Sequence, residues 1–230
     1  MVLFWIEAVG LAPIMGDLVI DGRLFWKLHP SKVCGVNKDG YRGVRIDPAA
    51  PKDKLRIAAF GDSSTYGLGV VVPDEVYPAK LGRILNERGL PSEVMNFGVP
   101  GYTIVQVVRL LRDRALPLRP DIATFCLGHN EGKTSRTRLA DSNRRLDEAP
   151  FLRSSLARRF RSLRLWQFLR SRWLPIREVK EPSVRVPLDE FRELAAHGIE
   201  LCRENGVTPV WIEYVELDPS DTLSPYVEAA

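Results

Sequence analysis

The sequence is poor in the residues that most often carry chemistry. It has three histidines and three cysteines in 230 residues, and a formal net charge of only +4. The histidines are His29, His129 and His197, so a mechanism that uses an imidazole of this chain has to use one of these three. The small net charge argues against a nucleic-acid binder, and no nucleic-acid partner is expected.

The cysteines argue against two further classes of protein. Cys34, Cys126 and Cys202 are odd in number and share no CxxC spacing, so neither a disulfide scaffold nor a zinc knuckle is expected. Cys126 lies in an apolar run and Cys202 in a helical pattern, which predicts two small buried hydrophobic side chains. Nothing in the sequence implies a metal or a cofactor.

Long hydrophobic runs are also scarce. Residues 2–15 are apolar, but Glu7 interrupts them and no basic residues precede them. A membrane span needs about 20 residues, so the stretch is neither a complete transmembrane helix nor a convincing signal peptide. Two interpretations stay open: the end of a longer hydrophobic segment, or an apolar arm that packs on the domain.

What is present is the composition of one soluble globular domain, with 45% hydrophobic and 27% charged residues. From Leu55 onward, apolar strand patterns alternate with helical patterns. This alternation predicts a three-layer α/β/α sandwich with a parallel central sheet, a flavodoxin-like arrangement. The predicted strands are 55–60, 94–97, 121–127 and 209–214, and the predicted helices are 76–88, 104–115 and 188–204.

Two regions fall outside this alternation. Residues 1–50 are predicted to be an N-terminal extension, irregular over 16–50, that wraps the core of a domain formed by 51–230. Residues 133–177 carry thirteen basic and three acidic side chains, a net +10, which leaves about −6 on the rest of the chain. Apolar residues at helical spacing predict an amphipathic helix with an arginine face in this insert, which we bound at 133–180.

The insert has a plain interpretation and a functional one. A solvated surface helix that covers part of the core would explain its pattern. Contact with a membrane surface of anionic lipid, or with a polyanionic substrate, would also explain it.

Glycine-rich loops follow the first three strands of the predicted sheet, at 61–67, 96–102 and 128–132. Ligands of open parallel sheets bind at the carboxyl ends of the strands, where these loops would meet. Together they offer a hydroxyl, backbone N–H groups and an amide, the groups needed for acyl transfer. Other loop motifs fail on spacing: the Walker A and GxGxxG patterns are absent, and a GxSxG elbow would need glycine at Thr65.

The order of these motifs resembles the GDSL/SGNH hydrolase family of lipases, esterases and acyl-esterases. The resemblance rests on Gly61-Asp62-Ser63, on Asn96 with Gly98, and on Gly128 with Asn130. It is strong over residues 35–135 and weaker over 185–216. Residues 36–43 are similar to a lead-in segment of a bacterial subgroup, often found downstream of a membrane anchor. The location, bacterial cytoplasm or cell envelope, stays open.

The resemblance implies a serine ester hydrolase with Ser63 as the nucleophile. Ser63 would donate its own N–H to the oxyanion, Gly98 a second N–H and Asn130 its side-chain amide, while Asp62 anchors the loop. The substrate would be a small-molecule, lipid or glycan ester. Two alternatives stay open: Ser63 as an ordinary turn serine, and a non-catalytic SGNH-like module that binds acylated or anionic ligands.

The sequence departs from the family pattern in two places. Glu131 stands where the family has aspartate, and no Asp-x-x-His motif for the general base occurs up to Ala230. We therefore expect the chain to be a C-terminally truncated stretch, with the aspartate and histidine beyond Ala230. Among the resident histidines, His129 is the best placed substitute because it neighbours Asn130.

Overall fold

The computed structural model describes residues 18–70, 72–135, 141–143, 183–213 and 226. It contains a central sheet, two small antiparallel pairs of strands and four α-helices within these ranges. In chain order the elements are β1 (Leu18–Asp21), β2 (Phe25–Leu28), β3 (Leu55–Gly61), α1 (Ser63–Tyr66), α2 (Tyr77–Glu87), β4 (Ser92–Asn96), α3 (Ile104–Leu110), β5 (Ile122–Cys126), β6 (Thr134–Ser135), β7 (Ser183–Val184), α4 (Leu188–Glu204) and β8 (Thr208–Trp211).

The central sheet has four parallel strands in the order β4-β3-β5-β8. Consecutive residues of β3, from Ile57 to Phe60, are at most 2% exposed, so both faces of the sheet are covered. Gly82 of α2 lies against Val94 of β4, an outer strand of the sheet. α3 packs on α4, where Val108 contacts Gly198. The predicted α/β fold with a parallel central sheet is confirmed.

Most predicted boundaries lie within three residues of the observed ones, and α4 has the predicted bounds. The predicted helix 104–115 is shorter in the structure. α3 ends at Leu110, and a π-helical turn over Leu111–Ala115 and a 3₁₀ turn over Leu116–Leu118 follow it. Pro117 explains the change, since it has no N–H to donate and its ring crowds the carbonyl four residues earlier.

The N-terminal segment, residues 18–46, is more regular than predicted. β1 and β2 form an antiparallel hairpin, and isolated bridges then join Ser31 to Val36, Val36 to Arg42 and Arg42 to Asn96. The segment therefore lies against the free side of β4, with Tyr41 and Ile46 buried in the core.

A row of aromatic rings crosses the sheet. Phe60 of β3 stacks on Phe97 at 5.3 Å and on Phe125 at 5.4 Å between ring centroids. Tyr41 extends the row beyond Phe97, and Trp211 extends it beyond Phe125. The row runs from the N-terminal segment, through Phe97 just after β4, to β3, β5 and β8.

Cys126 and Cys202 are buried free thiols, as predicted, and burial raises the pKa of each to about 11. Cys34 is half-buried.

The start of the basic insert lies beside the segment that follows the insert, because β6 pairs with β7. The predicted amphipathic helix of the insert and the apolar stretch 2–15 lie outside the described residues. No helix in the described part of the chain combines the length and apolar character of a membrane span.

Candidate active site

Ser63 lies where β3 ends and α1 begins, at the carboxyl edge of the sheet. It is the first residue of α1 and is half-buried. Asp62 caps this helix, because its Oδ1 accepts the N–H of Ser64 at 2.9 Å. The N–H of Ser63 itself has no acceptor within the described residues.

The second loop is fastened to the first by Asn96. Its Nδ2 donates to the carbonyl of Thr65 at 2.8 Å, and its Oδ1 accepts the N–H of Gly98 at 2.9 Å. A Cβ on Gly98 would lie 2.6 Å from the carbonyl carbon of Thr65, so only glycine fits there. The structure thus gives Gly98 a role in close packing, and its N–H, the predicted oxyanion donor, is held by Asn96.

The same loop presents another N–H that the motif comparison overlooked. Tyr102 N–H donates to the carbonyl of Val99 at 3.1 Å, and between them Gly101 has a φ of +78°. With Pro100 before it, this is a type II turn, in which glycine takes the left-handed position. The Gly101 N–H has no acceptor among the residues described. The Pro-Gly pair was the available sequence signal.

Asn130 joins the third loop to the other two. Its Nδ2 donates to Asp62 Oδ2 at 2.8 Å and to the carbonyl of Tyr102 at 3.0 Å, and its Oδ1 accepts from Lys133 Nζ at 2.8 Å. The side chain is buried. The three predicted loops do meet, and both amide hydrogens of Asn130 are engaged in holding them together.

Glu131 is fully buried directly behind the site. Its Oε1 accepts the N–H of Ile104 at 3.0 Å, and its Oε2 accepts the N–H groups of Gly128 and Asn130, both at 3.1 Å. Burial raises the pKa of the Glu131 carboxyl to about 7, although these N–H groups favour the ionised form. The longer side chain at this position thus ties the third loop to the first turn of α3.

A second buried carboxylate lies beside the start of α3. Asp141 Oδ2 accepts from Arg185 Nη2 at 2.7 Å and from Thr103 Oγ1 at 3.2 Å. Asp141 Oδ1 has no hydrogen-bond partner within the described residues. The pair anchors the described part of the insert, and no local sequence pattern predicts it.

The three histidines are all exposed. His29 Nδ1 lies 3.0 Å from the carbonyl oxygen of Pro30, and His197 lies on α4. No hydrogen bond joins Ser63 to a histidine within the described residues. No group of three or more His, Cys, Asp or Glu side chains there is placed to hold a metal ion.

Comparison with known proteins identifies the class. The model of the GDSL-like lipase/acylhydrolase family matches residues 59–226, a range that includes Ser63, Asn96 and Asn130. The chain belongs to this family. A search of curated proteins finds no match.

Several solved structures are similar to the chain. The SGNH-hydrolase family esterase AlinE4 is 17% identical, with a TM-score of 0.46 over 78% of this chain and 69% of that one. TesA is 16% identical, with a TM-score of 0.47 over 76% and 68%. The lipase/acylhydrolase from Enterococcus faecalis is 19% identical, with a TM-score of 0.45 over 76% and 69%.

Proposed function

We propose that the chain is a serine ester hydrolase with Ser63 as its nucleophile. The observation that carries the proposal is the meeting of three loops around Ser63, through the bonds from Asn130 to Asp62 and from Asn96 to Thr65. These bonds fix the serine at a helix N-terminus whose first N–H is open. A hydroxyl beside an open N–H is what attack on an ester carbonyl requires.

The reaction proceeds in two displacements. Ser63 Oγ attacks the ester carbonyl carbon while a general base takes the hydroxyl proton. The tetrahedral intermediate then collapses, and the proton passes to the departing alcohol, which leaves an acyl-serine. Water attacks the acyl-serine in the same way, giving a carboxylic acid and the free serine.

Three groups would stabilise the oxyanion of the intermediate. The N–H of Ser63 and the N–H of Gly101 support the proposal by having no acceptor in the described residues, whereas Gly98 contributes by its close packing on α1. Asn130 would join them by exchanging its bond to the Tyr102 carbonyl for one to the oxyanion. Removal of one such donor typically costs about 10²–10³ in kcat.

The general base in this proposal is an imidazole, as the family resemblance implies, and the substrate is a small-molecule, lipid or glycan ester. None of the resident histidines hydrogen-bonds to Ser63 within the described residues. Imidazole supplied from solution can therefore show whether the base acts from this chain.

The test is labelling of Ser63 by a fluorophosphonate probe, combined with hydrolysis of p-nitrophenyl acetate, each with and without added imidazole. The matched control is Ser64→Ala, since Ser64 is the next residue of the same helix and is equally half-buried. We expect labelling in the wild type and in Ser64→Ala, and none in Ser63→Ala. No labelling under either condition would overturn the proposal and favour a non-catalytic binding module.

A further inference from the structure

Arg42 is a buried arginine whose side chain reaches the nucleophile turn from outside the family domain. The bridge between Arg42 and Asn96, with N–O distances of 3.0 and 2.9 Å, places it beside the end of β4. The residue is only 6% exposed, and no carboxylate of the described residues forms an ion pair with it. Burial of a charged group is costly unless other groups form favourable contacts with it, so the contacts of this guanidinium are informative.

Among the described residues, the groups that bind it belong to Tyr66, the last residue of α1. Arg42 Nη1 donates to the carbonyl of Tyr66, and the guanidinium carbon lies 4.7 Å from the centre of the Tyr66 ring. A cation at the carbonyl end of a helix is favourable, and a planar guanidinium can also stack on an aromatic face. Arg42 thus binds one end of the helix whose other end is Ser63.

The nucleophile helix needs such support, because it has only four residues. A single helical turn is unstable alone, since nucleation fixes several residues for one hydrogen bond. The Gly67 and Leu68 N–H groups close the turn on the carbonyl of Ser63, at 3.0 and 2.9 Å. Arg42 binds the carbonyl of the same peptide group that carries the Gly67 N–H.

Trp26 of β2 holds the turn that carries the Gly101 N–H in a similar way. Its Nε1 donates to the carbonyl of Pro100 at 3.0 Å, and its own carbonyl accepts from Tyr102 Oη at 2.6 Å. A Cβ on Gly101 would lie 3.2 Å from the indole ring, so the turn rests directly on it. Both ends of the Pro100–Gly101 turn are therefore tied to one residue of the hairpin.

From these contacts we infer that the N-terminal segment, residues 18–46, is part of the catalytic unit, with Arg42 and Trp26 as positioning residues. Arg42 fixes the turn that presents Ser63, and Trp26 fixes the turn that presents the Gly101 N–H. The inference rests on the proposed ester hydrolysis. Neither side chain needs to touch the substrate, so their loss should lower kcat and leave KM nearly unchanged.

The first test compares Arg42→Ala, Arg42→Lys and the control Arg45→Met, which removes an exposed arginine of the same segment. We expect Arg42→Ala to lower kcat and the labelling rate of Ser63 by about 10²-fold, the scale of a small misplacement of reacting groups. Guanidinium at a sub-denaturing concentration should restore part of the rate. Arg42→Lys should have a kcat between those of Arg42→Ala and the wild type, and Arg45→Met should have the wild-type kcat.

The second test is Trp26→Phe, which keeps an aromatic ring but removes the donor to Pro100. Its control is Trp211→Phe, which changes an indole stacked in the core. We expect Trp26→Phe to lower kcat about tenfold at constant KM, and Trp211→Phe to change stability alone. Equal rates in folded Arg42→Ala, in Trp26→Phe and in the wild type would overturn the inference.

Amide hydrogen exchange separates this inference from the proposed function. If Ser63 of the wild type does not react at all, the esterase proposal fails, but the positions of the turns can still be measured. Arg42→Ala should then speed exchange at Gly67 and Leu68, and Trp26→Phe at Tyr102, with slow exchange regained in Arg42→Lys. Unchanged exchange at these amides would overturn the positioning roles.

Discussion

Asn130 donates to Asp62 at 2.8 Å, a hydrogen bond between residues 68 positions apart in the chain. It joins the loop after β5 to the residue that caps α1, the helix that begins at Ser63. The same amide also reaches the carbonyl of Tyr102. One buried side chain therefore sets the spacing of all three loops.

Replacement of Asn130 by alanine should damage both stability and activity. It would leave Asp62 Oδ2 and the Tyr102 carbonyl without these donors, a loss of about 1–3 kcal/mol in the free energy of unfolding. If the proposed function holds, ester hydrolysis should fall by about 10²-fold or more, since Asn130 is a proposed oxyanion donor. Urea unfolding and initial rates measure the two effects.

The control is Asn205→Ala, which removes an exposed amide that donates to Leu201 at the same distance, 2.8 Å. It should change stability by less than about 0.5 kcal/mol. Equal effects of the two substitutions would contradict the central role of Asn130.

Glu131 should make stability depend on pH. The pKa of its carboxyl rises from 4.5 to about 7 on folding, so the folded chain binds more protons than the unfolded chain between these values. Its contribution to the free energy of unfolding is therefore highest below pH 4.5 and falls as the pH rises toward 7, by up to about 3 kcal/mol at 1.4 kcal/mol per pKa unit.

Glu131→Gln removes this titration. Urea midpoints of the wild type and of the variant, measured from pH 5 to pH 8, should show a fall in the wild type that the variant lacks. Parallel pH profiles would show that Glu131 does not titrate in this range.

Two glycine-to-alanine substitutions should have opposite effects. Gly98→Ala would drive a methyl group into the backbone of Thr65 and Tyr66, and we expect a loss of about 2–3 kcal/mol. Gly198→Ala adds a methyl group at ordinary contact, 3.5 Å from Val108 Cγ2, within α4. It should stabilise the chain by about 1 kcal/mol, the difference in helix propensity. Thermal unfolding of both variants checks the signs.

Arg185→Met should destabilise the chain strongly. It would leave the buried carboxylate of Asp141 without its ion-pair partner, at a cost of about 3–5 kcal/mol. Adding Asp141→Asn to this variant removes the uncompensated charge and should recover at least half of the loss. A double variant no more stable than Arg185→Met would show that the charge is not the cause.

The sequence was enough to predict the sheet and the loops that meet at its edge. β3 and β5 are mainly apolar, β3 ends at Gly61 and Gly128 follows β5. Parallel strands place such ends together, so Ser63 and Asn130 could be assigned to one site. Which N–H groups are open could not be predicted. That depends on Asn96, whose side chain accepts the N–H of Gly98, whereas the N–H of Gly101 has no acceptor among the described residues.

Long-range contacts account for the other differences. Glu131 reaches Ile104 across 27 positions of the chain, and Asp141 reaches Arg185 across 44. Contacts between residues so far apart in the chain produce no periodic sequence pattern, so local patterns could not predict them. The hairpin of β1 and β2 was missed for a related reason: its strands are four residues each, too short to distinguish from an irregular extension.

The bridge between Arg42 and Asn96 also affects the solubility of the chain. β4 is an outer strand of the sheet, and an outer strand with unpaired N–H and C=O groups can pair with another molecule. Arg42 covers the end of β4, and Gly43 lies so close to the Val94 carbonyl that a Cβ there would be 2.7 Å from it. A chain shortened to begin at Leu55 would therefore expose the unpaired N–H and C=O groups of β4 and should self-associate.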